Sequence, residues 1–284
     1  MPTKSEIETT LAPEKWGQKE SADWWSAGQV RRQAIYGPAT KRMLDLADVR
    51  QGSRVLDIAA GTGESTIMAA RRIGPTGYVL GVDASGSMLN VAAETARKEG
   101  ITNVETRVMN AETLALETNS FDAVICRIAL MLFPNPDKAL VEMRRVLKPE
   151  GKAAVIVYSS LEKNPYHGIF YHTVSKIGGI PLPATGEPWM YALADPARLK
   201  GIYREAGFAN VSIEAVPIPR HFPSAAEAVG NMRKAICDLK EFINPLKEAD
   251  REIAWTKIEE EFGRLEGPTG LEMPGEVLIG VGTK

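Results

Sequence analysis

Apolar and polar positions follow two rhythms along this chain. Short apolar runs at 55–58, 77–83, 104–108, 121–126 and 152–158 have the length and density of strands covered on both faces. Longer stretches at 64–73, 85–98 and 136–147 carry the period of helices with one apolar face. Their punctuation agrees: Gly74-Pro75 and Gly100 stop the first two, and Pro136 suits the first turn of the third. Regular alternation of strand and helix predicts a mainly parallel sheet with helices on both faces. In such sheets ligands lie beyond the carboxyl ends of the strands.

The flanks depart from that alternation. Residues 1–12 are polar and expected to fray. A helix rich in aromatic residues is expected over 13–35, with Trp16, Trp24 and Trp25, and a second over 39–47 after a break at Tyr36-Gly37-Pro38. Adjacent tryptophans point in different directions on a helix, so one of Trp24 and Trp25 is free to face a cavity. The resulting plan has an N-terminal helical segment or lid at 1–50 and a main α/β core at 51–159. A cap insertion at 160–194 and a second, helical one at 223–271 bracket a continuation of the core at 195–222, and the last strand falls in 272–284. The second insertion reads as two helices of alternating charge, 225–242 and 245–262.

The chemistry concentrates at the first strand and its turn, VLDIAAGTGEST, residues 55–66. Gly61 and Gly63 let a ligand approach the backbone closely, and the helix that follows aims its N-terminal N–H groups at it. A dinucleotide fingerprint needs a third glycine where Thr66 stands, and a phosphate loop needs a lysine that is missing. Asp83 closes the second strand about 20 residues beyond Gly63, the spacing at which a carboxylate accepts from both ribose hydroxyls in nucleotide-binding units.

The turn resembles motif I of the class I S-adenosylmethionine-dependent methyltransferases, an acidic residue followed by x-G-x-G-x-G, here Asp57-Ile58-Ala59-Ala60-Gly61-Thr62-Gly63. Ala59 replaces the first glycine, which is tolerable if the backbone there keeps φ negative. The stretch FDAVICRIALMLFPNPDKALVEMRRVLKPEGKAAVIVY looks like the ubiquinone/menaquinone branch of that family, and REAGFANVSIEAV and PGEVLIGVG look like its late helix and last strands. The resemblance implies a Rossmann-like α/β fold, a seven-stranded sheet with a parallel sixth and an antiparallel last strand, plus N-terminal helices and a helical cap. It implies S-adenosyl-L-methionine as cofactor and S-adenosyl-L-homocysteine as product. It places Asp57, Ala59, Gly61, Gly63, Asp83, Ala84, Met88, Asn110, Ala111 and Glu112 around the cofactor, with Asn110 standing where the family often has aspartate. Arg32 and Arg127 are candidates for the methionine carboxylate. The [DN]-P-P-[YF] signature of base-amine and glutamine-amide methyltransferases is missing after the fourth strand, where Cys126-Arg127-Ile128-Ala129 stands.

Composition narrows the partners. A hydrophobic content of 44%, a charged content of 25% and a net charge of −2 give no electrostatic footprint for nucleic acid or an anionic membrane. No apolar run reaches membrane-spanning length, there is no signal-peptide pattern, and two cysteines make no disulfide framework, so a cytoplasmic location is expected. The acceptor is then a small, partly apolar molecule, in a pocket lined by Trp24, Trp25, Tyr36, Tyr166, Tyr171 and Trp189. The three histidines, His167, His172 and His221, all fall outside the nucleotide-binding half, and His221, directly after the sixth strand, is the first candidate for a base. His167 and His172 lack the spacing of a helical zinc pair, so no metal is expected. A nicotinamide-dependent oxidoreductase on a similar sheet and a cofactor-binding module without catalysis stand as alternatives. The aromatic N-terminal segment is also a candidate surface for pairing two copies.

Overall fold

The computed structural model describes residues 19–184, 186–234 and 238–284, which leaves Trp16 and Cys237 outside. One seven-stranded sheet, in the order β3-β2-β1-β4-β5-β10-β6, organises the chain. Its strands are β1 (Arg54–Ile58), β2 (Tyr78–Asp83), β3 (Val104–Val108), β4 (Phe121–Arg127), β5 (Leu147–Tyr158), β6 (Ala209–Pro217) and β10 (Glu276–Thr283). Parallel pairing joins β3 to β2, β2 to β1, β1 to β4 and β4 to β5. Strand β10 runs antiparallel to both β5 and β6, as the family resemblance implies. The central strands are buried along most of their length, with Val55, Leu56, Ile58, Val124, Ile125 and Val155 in the core. That burial is why they read as continuous apolar runs with no alternation.

Helices α3 (Glu64–Ile73), α4 (Gly86–Lys98), α5 (Pro136–Val146) and α7 (Pro196–Glu205) form where the apolar period predicts the first three of them and the late helix. Two details differ from the sequence reading. The turn expected at 148–151 is instead an irregular start to β5: Phe121 pairs with Leu147 and Ala123 with Lys152, and Glu150 takes φ 64°. The break expected at Tyr36-Gly37-Pro38 does not occur. After α1 (Lys19–Ala27), helix α2 runs unbroken over Gln29–Leu46 with Pro38 inside it. An interior proline costs about 3 kcal/mol. The stripe it interrupts is buried against the sheet at Ile35, Tyr36, Ala39, Met43 and Leu44, and Thr40 Oγ1 donates to the Tyr36 carbonyl at 2.8 Å. Burying a few such side chains is worth more than the proline costs. The break falls at Gly28 instead.

The remaining elements gather beyond the carboxyl ends of the parallel strands. They are α6 (Pro165–Gly178), β7 (Arg220–Phe222), α8 (Ala225–Arg233), α9 (Asp238–Ile243), α10 (Glu248–Gly263), β8 (Glu266–Gly267) and β9 (Gly270–Met273). A small antiparallel sheet, β7-β9-β8, pairs Arg220 with Met273 and Phe222 with Leu271. Tyr166 of α6 stacks between Phe222 at 5.2 Å and Phe262 of α10 at 5.7 Å, which ties this sheet to the helices.

Candidate active site

The first turn is built from the bottom by Asp57. Its carboxylate is buried and accepts from Ser65 Oγ at 2.8 Å and Thr66 Oγ1 at 2.6 Å, so it pins the start of α3 under β1. Desolvation pushes the Asp57 carboxyl up to about 6, although the two hydroxyls pull the other way. Asp57 therefore does not face the ligand side, where the motif had suggested it; it positions the turn. In the unfolded chain the same carboxyl titrates near its ordinary value, so from about pH 4 to 6 the folded form binds more protons. Folding stability accordingly falls as pH rises through that window, and the loss persists above it. Relative to Asp57→Asn, the native protein should lose up to about 3 kcal/mol between pH 4 and 7. Urea denaturation of both proteins across that range checks this; a difference that does not change with pH overturns it.

Above Asp57 the backbone enters the left-handed region three times, at Ala59 (φ 53°), Gly61 (φ 55°) and Gly63 (φ 89°). The negative φ expected at Ala59 is not found. An alanine there bears a local strain of about 1 kcal/mol, which the surrounding turn sustains. The two glycines do different work. A Cβ on Gly63 would stand 2.7 Å from the Ala92 Cβ of α4, so this glycine packs two helices together and does not border the cavity. A Cβ on Gly61 would meet nothing, so the backbone there lies open to a ligand.

Gly61 N–H donates to Asp83 Oδ2 at 2.9 Å, and Ser85 N–H donates to Asp83 Oδ1 at 2.9 Å. The carboxylate that closes β2 thus sits against the glycine turn of β1. Burial raises its pKa, with backbone N–H groups from Ser85, Gly61 and Ala84 opposing. Asn110 Oδ1 accepts from the Glu112 N–H at 2.8 Å, and the Glu112 carboxylate holds Asn135 through its backbone and side-chain N–H groups, both at 2.9 Å.

Most of these residues border one cavity of about 810 Å³. Ala59, Gly61, Asp83, Ala84, Met88, Asn110, Ala111, Glu112, Arg32 and Arg127 all line it, as do Trp24, Trp25, Tyr36, Tyr166 and His167. Asp57, Gly63, His172, His221, Tyr171 and Trp189 do not. Tyr171 is buried in the core of the cap, packed on Phe242 at 4.9 Å and on Trp189 at 5.7 Å. His172 faces solvent from α6. His221 is 58% exposed, with Glu272 at 3.8 Å. It is the outward residue of a three-residue strand whose inward neighbours are Arg220 and Phe222. Successive strand side chains point to opposite faces, so a base at His221 was one residue out of phase with the cavity.

Electrostatics divide the cavity into two ends. Glu64, the first residue of α3, bridges the guanidinium groups of Arg32 and Arg127, all three nearly buried. Two cations share one carboxylate at a helix N-terminus, and Arg127 Nη1 is buried with no hydrogen-bond partner among the described residues. That arrangement has room for a second carboxylate. The sequence reading missed Glu64, although an acidic residue directly after the glycine turn was the available signal. At the other end, Tyr36 and Tyr158 share a hydrogen bond between their hydroxyls, and Arg220 Nη2 donates to Tyr36 at 2.9 Å and to Tyr158 at 3.4 Å. His167 Nδ1 lies 2.7 Å from the Tyr191 hydroxyl. Burial, with the Arg220 charge beside it, holds His167 well below the ordinary histidine range, so it is neutral near pH 7.

This geometry fits a nucleoside with an amino-acid tail: a bare glycine backbone, a ribose-binding carboxylate and a carboxylate-hungry arginine pair within one cavity. Residues 50–207 match the methyltransferase domain family. UbiE of Klebsiella pneumoniae, a ubiquinone/menaquinone biosynthesis C-methyltransferase, is 37% identical over 180 residues, covering 59% of this chain and 71% of that protein. The chain belongs to the class I S-adenosylmethionine-dependent methyltransferases, in the UbiE-like branch. The UbiE of Yersinia pestis is 36% identical over 181 residues, with 60% and 71% coverage. Among solved structures, YcgJ of Bacillus subtilis superposes on this methyltransferase with a TM-score of 0.59 at 21% identity, over 87% of this chain and 98% of YcgJ. The phosphoethanolamine N-methyltransferase 2 of Haemonchus contortus, solved with S-adenosyl-L-methionine, does so with a TM-score of 0.58 at 19% identity, over 98% of this chain and 60% of that one. The cofactor of this methyltransferase is S-adenosylmethionine. No helix among the described residues is long and apolar enough to cross a membrane. Nor does any group of three His, Cys, Asp or Glu among them come together as a metal site.

Proposed function

We propose that this methyltransferase acts on a small, partly apolar acceptor held in the aromatic end of the cavity, by in-line methyl transfer. The observation that carries the reading is continuity: the Gly61–Asp83 contact and the Tyr36–Tyr158–Arg220 cluster border the same space. Bound S-adenosylmethionine supplies a methyl group on a sulfonium sulfur, which leaves as the neutral thioether of S-adenosylhomocysteine. The protein's part is placement and exclusion of water.

In this reading Gly61 offers its backbone to the methionine portion and Arg32 and Arg127 take its carboxylate. Asp83 accepts from the ribose hydroxyls, while Asn110, Ala111 and Met88 border the adenine. The faces of Trp24, Trp25 and Tyr36 favour the sulfonium charge. Of the three histidines only His167 borders the acceptor space, so it is the residue placed to receive an acceptor proton. The named activity of the UbiE relatives, C-methylation in quinone biosynthesis, supports a flat and largely apolar acceptor.

Calorimetric titration tests the reading. S-adenosylhomocysteine should bind tightly while NADH does not, and Asp83→Ala should weaken S-adenosylhomocysteine at least tenfold, as loss of a hydrogen bond to a charged group implies. Unchanged affinity in Asp83→Ala removes Asp83 from the cofactor site.

A further inference from the structure

At the aromatic end of the cavity lies a cation that no anion among the described residues answers. Arg220 is 8% exposed. Its hydrogen bonds are the two from Nη2 to the Tyr36 and Tyr158 hydroxyls, and its guanidinium lies 4.9 Å over the Tyr166 ring. No carboxylate among the described residues pairs with it. At the cofactor end, by contrast, Glu64 answers Arg32 and Arg127. A buried guanidinium keeps its charge, and a buried charge without a counter-ion is costly. Two tyrosine hydroxyls and a ring face compensate only part of that cost. The rest is compensated when an anion enters.

The directions available for such an anion are specific. The guanidinium N–H groups other than the Nη2 donors reach no acceptor on the described chain, and Arg220 borders the cavity. A guanidinium presents parallel donors that match a delocalised pair of oxygens or a single oxyanion. The Tyr36 and Tyr158 hydroxyls bond each other and can turn one O–H toward the same oxygen. Tyr166 and Phe222 adjoin this polar point, with His167 beside it, and Met131 and Phe133 line the same cavity.

We propose that Arg220, with the Tyr36–Tyr158 hydroxyl pair, binds an oxyanion of the methyl acceptor, so that the acceptor is a flat, partly apolar molecule carrying a carboxylate, phenolate or enolate oxygen. This rests on the reading of the aromatic end as the acceptor site. It adds a charge requirement that neither the fold nor the cofactor imposes. Where that oxyanion is a phenolate or enolate, its O–H proton has gone to solvent before transfer, and His167 is then needed only for a proton released afterwards from a methylated carbon.

The test uses the full chain saturated with S-adenosylhomocysteine and two flat probes of the same shape, 2-naphthoate and 2-naphthamide, titrated by calorimetry. The 4-nitrophenol chromophore provides a phenolate arm, because its ionised form absorbs visible light. Naphthoate should bind at least tenfold more tightly than naphthamide, and bound nitrophenol should shift toward its ionised spectrum. Arg220→Met should remove the tenfold preference while S-adenosylhomocysteine affinity stays within about twofold. Arg220→Lys, which keeps the charge and loses the fork, should retain part of it. Equal affinities for the two naphthalenes, undetectable binding of both anionic probes, or an Arg220→Met protein that still prefers naphthoate each overturns the proposal. Failure of the native protein to bind S-adenosylhomocysteine would instead overturn the cofactor reading on which this one stands.

Discussion

Glu64→Ala should lower the unfolding free energy of the ligand-free protein by about 3–5 kcal/mol, the range seen when one partner of a buried ion pair is removed. Glu64 is the sole carboxylate between Arg32 and Arg127 among the described residues, and all three side chains are less than one tenth exposed. Without it two guanidinium groups face each other across a cavity wall. Arg32 remains tied to the Trp25 carbonyl and ring, and Arg127 keeps a buried Nη1 that already lacks a partner. Arg127 keeps only the longer-range attraction of the Asp57 carboxylate, and among the described residues neither arginine forms another ion pair. The deficit should deepen at low ionic strength, where repulsion is least screened. Glu64→Gln, which keeps the shape and one acceptor oxygen, should lose less. Guanidinium-free denaturation, in urea at two salt concentrations, reads the effect. A loss below about 1 kcal/mol in Glu64→Ala, typical of exposed pairs, would mean that water reaches the cluster.

The sheet was legible because its physics is local and repetitive. Strands buried on both faces leave continuous apolar runs, and glycine or proline marks their ends, so β1 to β5 and α3 to α5 are placed to within a few residues. That the glycine turn and Asp83 meet was legible because consecutive parallel strands bring the ends of β1 and β2 together at a fixed chain spacing. What could not be read depends on phase and on partners distant in the chain. His221 was the prominent residue of its stretch, yet the pairing of β7 with β9 turns it outward and turns Arg220 inward. Tyr171 and Trp189 carry the same aromatic signal as Tyr166, but only packing against Phe242 and Tyr191 shows that they fill the cap and do not border the cavity. Helix α2 crosses Pro38 because a buried stripe outweighs a local penalty, and the depth of a stripe is a tertiary quantity. Ala59 illustrates the converse. The glycine preferred there by the motif was informative about φ, and the alanine does not change the conformation; it adds strain to it.

The two glycines of the turn should respond oppositely to the same substitution. Gly63→Ala places a methyl 2.7 Å from the Ala92 Cβ and 3.0 Å from the Ala92 Cα, at φ 89°. The backbone strain is about 1–2 kcal/mol and the overpacking about 1–3 kcal/mol. Neither contact is with the far end of a flexible side chain, so α3 and α4 must part or the turn must rebuild. Gly63→Ala should therefore destabilise the free protein by about 2–5 kcal/mol, with cofactor affinity falling as a consequence. Gly61→Ala meets no atom within 4 Å, so its stability cost is the strain alone, about 1–2 kcal/mol. Its methyl, however, projects into the space where the cofactor is proposed to lie against the backbone. S-adenosylhomocysteine affinity in Gly61→Ala should drop at least tenfold with the fold nearly intact. Denaturation midpoints paired with calorimetry separate the cases: the Gly63 variant loses stability first, the Gly61 variant affinity first. If Gly61→Ala binds S-adenosylhomocysteine as the native protein does, the glycine turn is not where the cofactor meets the chain.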